Sequence, residues 1–278
     1  MSKVYISDLD GTLIANDSLS DFSRHNLIRM INDGLLFTVA TGRGLSSIKK
    51  IFLGIDFRLP VICYNGAFIS NLLTGNHVVT NSICKTSPKI IYNIIVDCKL
   101  SPIFLINDGS RDLIVYDNSR HVGVKWCTED SEYFRDQEFM RTDLRKCLSF
   151  SVVRIILIDS YDRLSYLNER LLNEINDVID VYFYKNFYLE GYYWLTITSR
   201  EASKDKAIEV ILNWLGFDRM SLTVFGDHLN DLGMMKYANI SVAPRDSVTE
   251  IRNIASIIIP SADEDGVVKY IMHEFYKY

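Results

Sequence analysis

What most constrains the fold of this 278-residue chain is a change of rhythm along it. Near the start, short β-rich runs alternate with amphipathic stretches. Val4 to Ser7 reads as a strand, and Phe22, Leu27, Ile28 and Ile31 recur on a helical period behind the capping residues Ser18 and Ser20 and ahead of Gly34. Leu35 to Ala40 is a second strand-like run, Leu45 to Leu53 a helix closed by Gly54, and Pro60 to Tyr64 a third strand. The same tempo returns from Lys204: a helix up to Gly216, strands at Leu222 to Phe225, Ile240 to Val242 and Ser256 to Ile259, and helices at Leu229 to Ala238 and Val267 to Tyr276. Strand–helix–strand at this spacing predicts right-handed βαβ units and a parallel sheet.

The middle follows another rule. Ile103 to Ile106 and Leu113 to Tyr116 flank Asn107-Asp108-Gly109-Ser110, a hairpin signal. Val152 to Ile158, a helical Arg163 to Ile175, Val181 to Tyr184 and Tyr192 to Ile197 follow. Antiparallel pairs with helices on one side predict an α+β module inserted into the parallel domain, with residues 84–196 as the insert and 1–83 with 197–278 as the core.

Chemistry-bearing residues gather at the predicted strand ends. Asp8-Leu9-Asp10-Gly11-Thr12 follows the first strand. Alternation puts Asp8 and Asp10 on similar sides of an extended chain, and Gly11 permits a sharp turn. Two such carboxylates repel unless a cation lies between them, and Mg²⁺ favours one or two carboxylates with waters and phosphate oxygens. Alone, the segment also fits a turn capping the next helix. Thr41-Gly42-Arg43 after the second strand offers a hydroxyl and backbone N–H groups at a helix start, an anion site or an ordinary turn with a surface Arg. Lys204 opens the late helix, where a buried ammonium would pair with a carboxylate and phosphate oxygens; Lys206 competes for that role. Gly226-Asp227-His228-Leu229-Asn230-Asp231 leaves another strand end, with Asn230 and Asp231 in the first helical turn, placed to contact phosphate and to orient Lys204. Taken singly, Lys204 also fits a solvated surface lysine, and the last segment an Asp/Asn helix cap. All four leave the same end of one inferred sheet, where open α/β sheets bind ligands.

In that order, the four segments resemble the motifs of the haloacid dehalogenase superfamily. The insert resembles the larger α/β cap of its Cof-type branch, as do Asn65-Gly66-Ala67 and Asp265-Gly266-Val267. The resemblance implies a Rossmann-like doubly wound core, with Asp8 as nucleophile through an aspartyl-phosphate and Asp10 as acid/base. It implies Mg²⁺ held by the Asp8 carboxylate, the Asp10 carbonyl and Asp227. Leu9, Gly11, Thr41, Gly42, Lys204 and Asn230 would cradle phosphoryl oxygens, supported by Thr12, Asp231 and Arg43, the last reaching substrate or the cap. The expected substrate is a small phosphorylated metabolite, a sugar phosphate ahead of pyridoxal phosphate or FMN; phosphomutases share these motifs. Departures are Asp205 where Gly is common after the lysine, His228 where Ser is common, and Pro244-Arg245-Asp246-Ser247 in place of a Gly/Asn turn.

A net charge of −5 argues against nucleic acid as the main partner, and the chain has no apolar run long enough for a membrane span. Five scattered cysteines without a Cys-x-x-Cys pair fit free thiols in a reduced, cytoplasmic setting. A monomer or weak homo-oligomer is expected. The run YFYKNFYLEGYYW at 182–194 admits two readings: an aromatic wall stacking on a ligand ring, or strand residues packing the insert's own sheet.

Overall fold

The computed structural model describes residues 3–118, 120–130, 138–186 and 188–277. In chain order the elements are β1 (Val4–Ser7), α1 (Asp21–Asn32), β2 (Leu36–Val39), α2 (Leu45–Ile51), β3 (Val61–Cys63), β4 (Phe68–Ser70) and β5 (His77–Thr80). There follow α3 (Ser87–Asp97), β6 (Ile103–Asn107), β7 (Asp112–Tyr116), α4 (Val122–Lys125), β8 (Phe139–Arg141), β9 (Ser151–Asp159), α5 (Tyr161–Ile175), β10 (Ile179–Lys185) and β11 (Tyr193–Ser199). The last are α6 (Lys204–Leu215), β12 (Leu222–Phe225), α7 (Leu232–Tyr237), β13 (Ile240–Pro244), α8 (Thr249–Ile254), β14 (Ile257–Ile259) and α9 (Gly266–Phe275). Contacts divide the chain into two compact units, Met1–Thr80 with Ala202–Tyr278, and Asn81–Glu201.

The first unit is built on an all-parallel sheet ordered β14-β13-β12-β1-β2. Every residue of β1 is buried, as a strand covered on both faces requires. Val4 and Ile6 face Ile208, Ile211 and Leu212 of α6, with Met234, Met235 and Ile251 from α7 and α8 in the same cluster. Tyr5 points the other way, toward Phe225 and Tyr270 of α9. Burial pushes the Tyr5 phenol up to about 12. Sequence chemistry sets the helix ends. Ser20 Oγ accepts the Ser23 N–H at 2.9 Å to start α1, and Gly216, at φ +68°, closes α6.

One expectation changes here. The third strand does not extend the parallel sheet as a full member: β3 touches β2 through the single Ala40–Ile62 bridge and pairs antiparallel with β4, which pairs with β5. Tyr64, Asn65 and Gly66 all have positive φ and reverse the chain immediately after β3.

The second unit carries a six-stranded sheet ordered β10-β11-β9-β6-β7-β8, antiparallel except for β7–β8. Its core joins Ile91, Ile94 and Ile95 of α3 and Leu164, Leu167 and Leu171 of α5 to Phe104, Ile155, Leu157, Leu195 and Ile197. The unit begins before residue 84 because Ile83 is 1% exposed in this core and donates its N–H to Val152 O, and it runs past 196 because β11 continues to Ser199. The aromatic run splits by strand alternation. Phe183 and Tyr193 pack with Tyr161 against the helical side, while Tyr184 stacks on Trp194, which meets Trp126, which stacks on Tyr188. Phe187 lies outside the described residues. None of the five cysteines forms a disulfide, and no helix among the described residues is long and apolar enough to cross a membrane.

Candidate active site

The chain runs from β1 outward to β2, then returns to the opposite side of β1 through β12, so the order reverses at β1/β12. This switch point is where a doubly wound sheet opens a crevice at its carboxyl ends. Asp8 leaves β1 there, its N–H bonded to Phe225 O at 2.8 Å, and Asp227 leaves β12. Asp8 is 5% exposed and Leu9 is fully buried, anchoring the turn through two bonds to its carbonyl from Leu13 and Ile14. Gly11 takes φ +77°, and a Cβ there would stand 2.6 Å from Asp227 Oδ2. The position requires glycine for both reasons.

Lys204 is the centre of the site. Its side chain is 1% exposed, with Nζ 2.5 Å from Asp8 Oδ1 and 2.6 Å from Asp231 Oδ1. Burial alone would strip its proton, but the carboxylates of Asp8 and Asp231 outweigh that and hold its pKa above the ordinary lysine value. Asp231, fully buried, also accepts the Asp227 and His228 N–H groups at 3.0 and 3.1 Å on Oδ2. Both its oxygens are thereby used. Thr12 Oγ1 donates to Asp227 Oδ1 at 2.7 Å.

Carboxylate oxygens of Asp8, Asp227 and Asp231 lie within 4.8 Å of one another. Burial raises the Asp8 pKa well above the usual carboxylate range; Lys204 opposes the rise, and Asp231 and Asp227 reinforce it. Asp227 is raised as well, by burial first, against the Thr12 hydrogen bond. One lysine does not balance three gathered carboxylates. The donor set therefore fits a hard divalent cation, and because Asp231 is saturated, Asp8 and Asp227 are the carboxylates that suit it.

Asp10 stands apart from this cluster. Its carboxylate takes Arg43 Nε at 2.8 Å and Arg43 Nη2 at 2.5 Å, and Arg43 also pairs with Asp17 and donates to Ser47 Oγ at 3.2 Å. Hydrogen bonding to Asp10 raises the Arg43 pKa, offsetting partial burial. Strand alternation fails here because Asp10 already belongs to the turn, bridging to Ile14. Arg43 thus contacts Asp10, a partner the sequence did not indicate.

The remaining positions sit close by. Thr41 is 1% exposed, its N–H on Ile62 O and its hydroxyl accepting the Arg43 N–H at 3.1 Å. Gly42 lies beneath the Asn65 amide, and Asn230 Nδ2 donates to Asn65 Oδ1 at 3.3 Å. Asn65 was legible only as part of a resemblance; its left-handed φ of +56° is the physical signal that Asn-Gly pairs carry. Among the departures, Arg245 pairs with Glu264 at the surface, and Asp205 lies against α7, with Oδ1 2.7 Å from where a Gly233 Cβ would stand.

Carboxylates and a buried ammonium gathered at the switch point of a doubly wound sheet suit a site that neutralises charge on a bound anion. A family profile described as haloacid dehalogenase-like hydrolase matches residues 5–271, and the chain belongs to that family. It is 23% identical over 279 residues to the 5-amino-6-(5-phospho-D-ribitylamino)uracil phosphatase YitU of Bacillus subtilis, covering 96% of each chain. Its fold is similar to that of a haloacid dehalogenase-like hydrolase from Bacteroides thetaiotaomicron (TM-score 0.80, 23% identity, 99% and 100% of the two chains). A similar fold occurs in the HAD subclass IIB sugar phosphatase BT4131 (TM-score 0.73, 20% identity, 98% and 99%). The protein is a phosphatase of this family.

Proposed function

We propose that the protein hydrolyses a small phosphomonoester, a sugar phosphate in the first instance, with Mg²⁺ and through a phosphorylated Asp8. The observation that carries this is the buried Lys204 bridging Asp8 and Asp231 beside Asp227. Held by the Asp8 and Asp227 carboxylates and the Asp10 carbonyl, Mg²⁺ would supply positive charge to the phosphoryl oxygens.

Asp8 attacks phosphorus, so an Asp8 O–P bond forms as the ester P–O bond breaks. Asp10 gives its proton to the departing alkoxide, then takes one from the water that attacks the phospho-Asp8 and releases phosphate. For this, the Asp10 carboxyl turns from Arg43 toward the leaving oxygen. Lys204, Asn230, Thr41, Gly42 and the backbone of Leu9 to Gly11 neutralise and orient the phosphoryl group, with Lys204 itself oriented by Asp231. Thr12 holds Asp227 in place.

A sugar phosphate is favoured because one relative is named for a phosphate on a ribityl chain and one similar fold belongs to a sugar phosphatase. Hydrolysis is favoured over mutase chemistry because two arginines of the insert, candidates for holding a second phosphate, are already engaged, Arg163 with Asp159 and Arg111 with Asp108 and Glu138. Purified protein should release phosphate from an aryl phosphate with Mg²⁺, stop on chelation, and lose at least about 10³-fold in kcat in Asp8→Asn. Full activity in Asp8→Asn, or no turnover on a broad ester panel, would sink the proposal. Transfer to a second sugar hydroxyl with little free phosphate would make it a mutase.

A further inference from the structure

The turn after β3 is a run of left-handed backbone beside the site. Tyr64, Asn65 and Gly66 have φ of +48°, +56° and +100°, a run that L-residues rarely adopt. It clamps two phosphate-facing segments at once. The Tyr64 N–H bonds Arg43 O at 3.0 Å and the Asn65 N–H bonds Thr41 O at 2.8 Å, so the Thr41–Arg43 loop hangs from this turn. Gly66 abuts Ser203, the cap of the helix that Lys204 opens, and a Cβ at Gly66 would collide with the Ser203 carbonyl. Between these anchors the Asn65 side chain lies over Gly42: a Cβ on that glycine would stand 3.5 Å from Asn65 Oδ1 and 3.6 Å from Nδ2. The same Oδ1 accepts from Asn230 Nδ2 at 3.3 Å.

We infer that Asn65 is a positioning residue: through its Oδ1 it fixes the amide of Asn230, so that Asn230 presents a preset N–H to the phosphoryl group. The inference rests on the phosphatase reading above. An amide has two nearly equivalent orientations, and only a fixed acceptor on one side decides which face is the donor. The Asn230 side chain is otherwise exposed, sitting in a single helical turn (Leu229–Asp231), and Asn65 supplies that acceptor from a rigid backbone. Asparagine suits the place twice over: it tolerates the left-handed conformation, and its short amide reaches Asn230 without crossing Gly42.

A double-mutant cycle on the 278-residue chain with Mg²⁺ and an aryl phosphate tests this, using Asn65→Gly, Asn230→Ala and the pair. Glycine at 65 keeps the left-handed backbone while deleting the amide, and the thermal midpoint checks that the fold survives. Asn65→Gly should lower kcat/KM by about tenfold when Asn230 is present, and by less than twofold in the Asn230→Ala background. The rise in thermal midpoint produced by inorganic phosphate with Mg²⁺ should show the same coupling without turnover. Equal losses in both backgrounds, with active wild type, would overturn the inference alone and make Asn65 either a direct ligand or a structural residue. An inactive wild type would overturn the phosphatase reading and this inference together.

Discussion

Asp8 in the first unit and Asp159 in the second are equally hidden, each 5% exposed, yet they hold their protons in opposite ways. Asp159 accepts the Ser160 N–H at 2.7 Å, Arg163 Nη1 at 2.6 Å and His121 Nε2 at 3.2 Å. Burial pushes its pKa up, but the His121 and Ser160 hydrogen bonds and the Arg163 charge outweigh burial and leave it below the usual range. Asp8 has one cation and two more carboxylates as neighbours, and it is left raised. The Asp159 carboxylate is balanced by its own chain and belongs to the architecture. The Asp8 carboxylate is unbalanced, and its deficit has the sign and hardness of a divalent cation.

The largest effect should come from removing the buried ammonium that bridges Asp8 and Asp231. Lys204→Met leaves Asp8 and Asp231 buried without a counter-charge and should cost at least about 10²-fold in kcat/KM. It should also cost about 3–5 kcal/mol of stability, as breaking a buried pair does. The sign with pH follows from the raised carboxyls. In the variant they bind protons more tightly folded than unfolded, so stability is retained at low pH and lost as pH rises through the folded pKa. Thermal midpoints at pH 5 and pH 8 measure this, and a variant as stable as wild type at pH 8 would break the contrast with Asp159.

Next in size is the ion itself. Mg²⁺ at about 100 times its dissociation constant should add about 2.7 kcal/mol, read as a rise in thermal midpoint. Asp227→Asn should abolish the rise and Asp159→Asn should leave it intact; a rise that survives in Asp227→Asn would move the metal elsewhere. The smallest effect lies in the insert, where Asp159→Asn should cost about 1–3 kcal/mol at neutral pH. Because the Asp159 pKa is lowered, its contribution is present above the unfolded value near 4 and disappears as pH falls through the folded value, so the two stability curves should converge below about pH 4. Parallel curves would mean that Asp159 is not the ionised partner of Arg163.

Much of this contrast was legible beforehand on one side only. The motifs around Asp8, Lys204 and Asp227 announce themselves because strand-end carboxylates are costly, and the βαβ rhythm says which end they share. The pairing of Asp231 with Lys204 follows from its helical turn. The Arg43–Asp10 pair was not legible, since it depends on where a turn aims a side chain after the strand pattern has stopped applying. Nor was the departure of β3 from the parallel sheet, which rests on three consecutive left-handed residues that no periodicity encodes. In the insert, the hairpin at Asn107 to Ser110 is plain in the sequence, while α3 is ordinary in composition and the partners of the His121–Asp159 pair are remote in sequence, so neither leaves a signal.

The parallel register has a consequence for a chain still being made. Val4 pairs with Leu222, so β1 waits for a neighbour 218 positions downstream. At about 5–20 residues per second, synthesis leaves one flank of β1 unpaired for on the order of 10–40 s. During that interval the Asn81–Glu201 segment, whose sheet draws on no strand outside itself, is complete in sequence and free to fold. Newborn molecules therefore hold an open, apolar strand edge beside Asp8 until about the last fifth of the chain emerges, an edge that other chains could pair with in that interval.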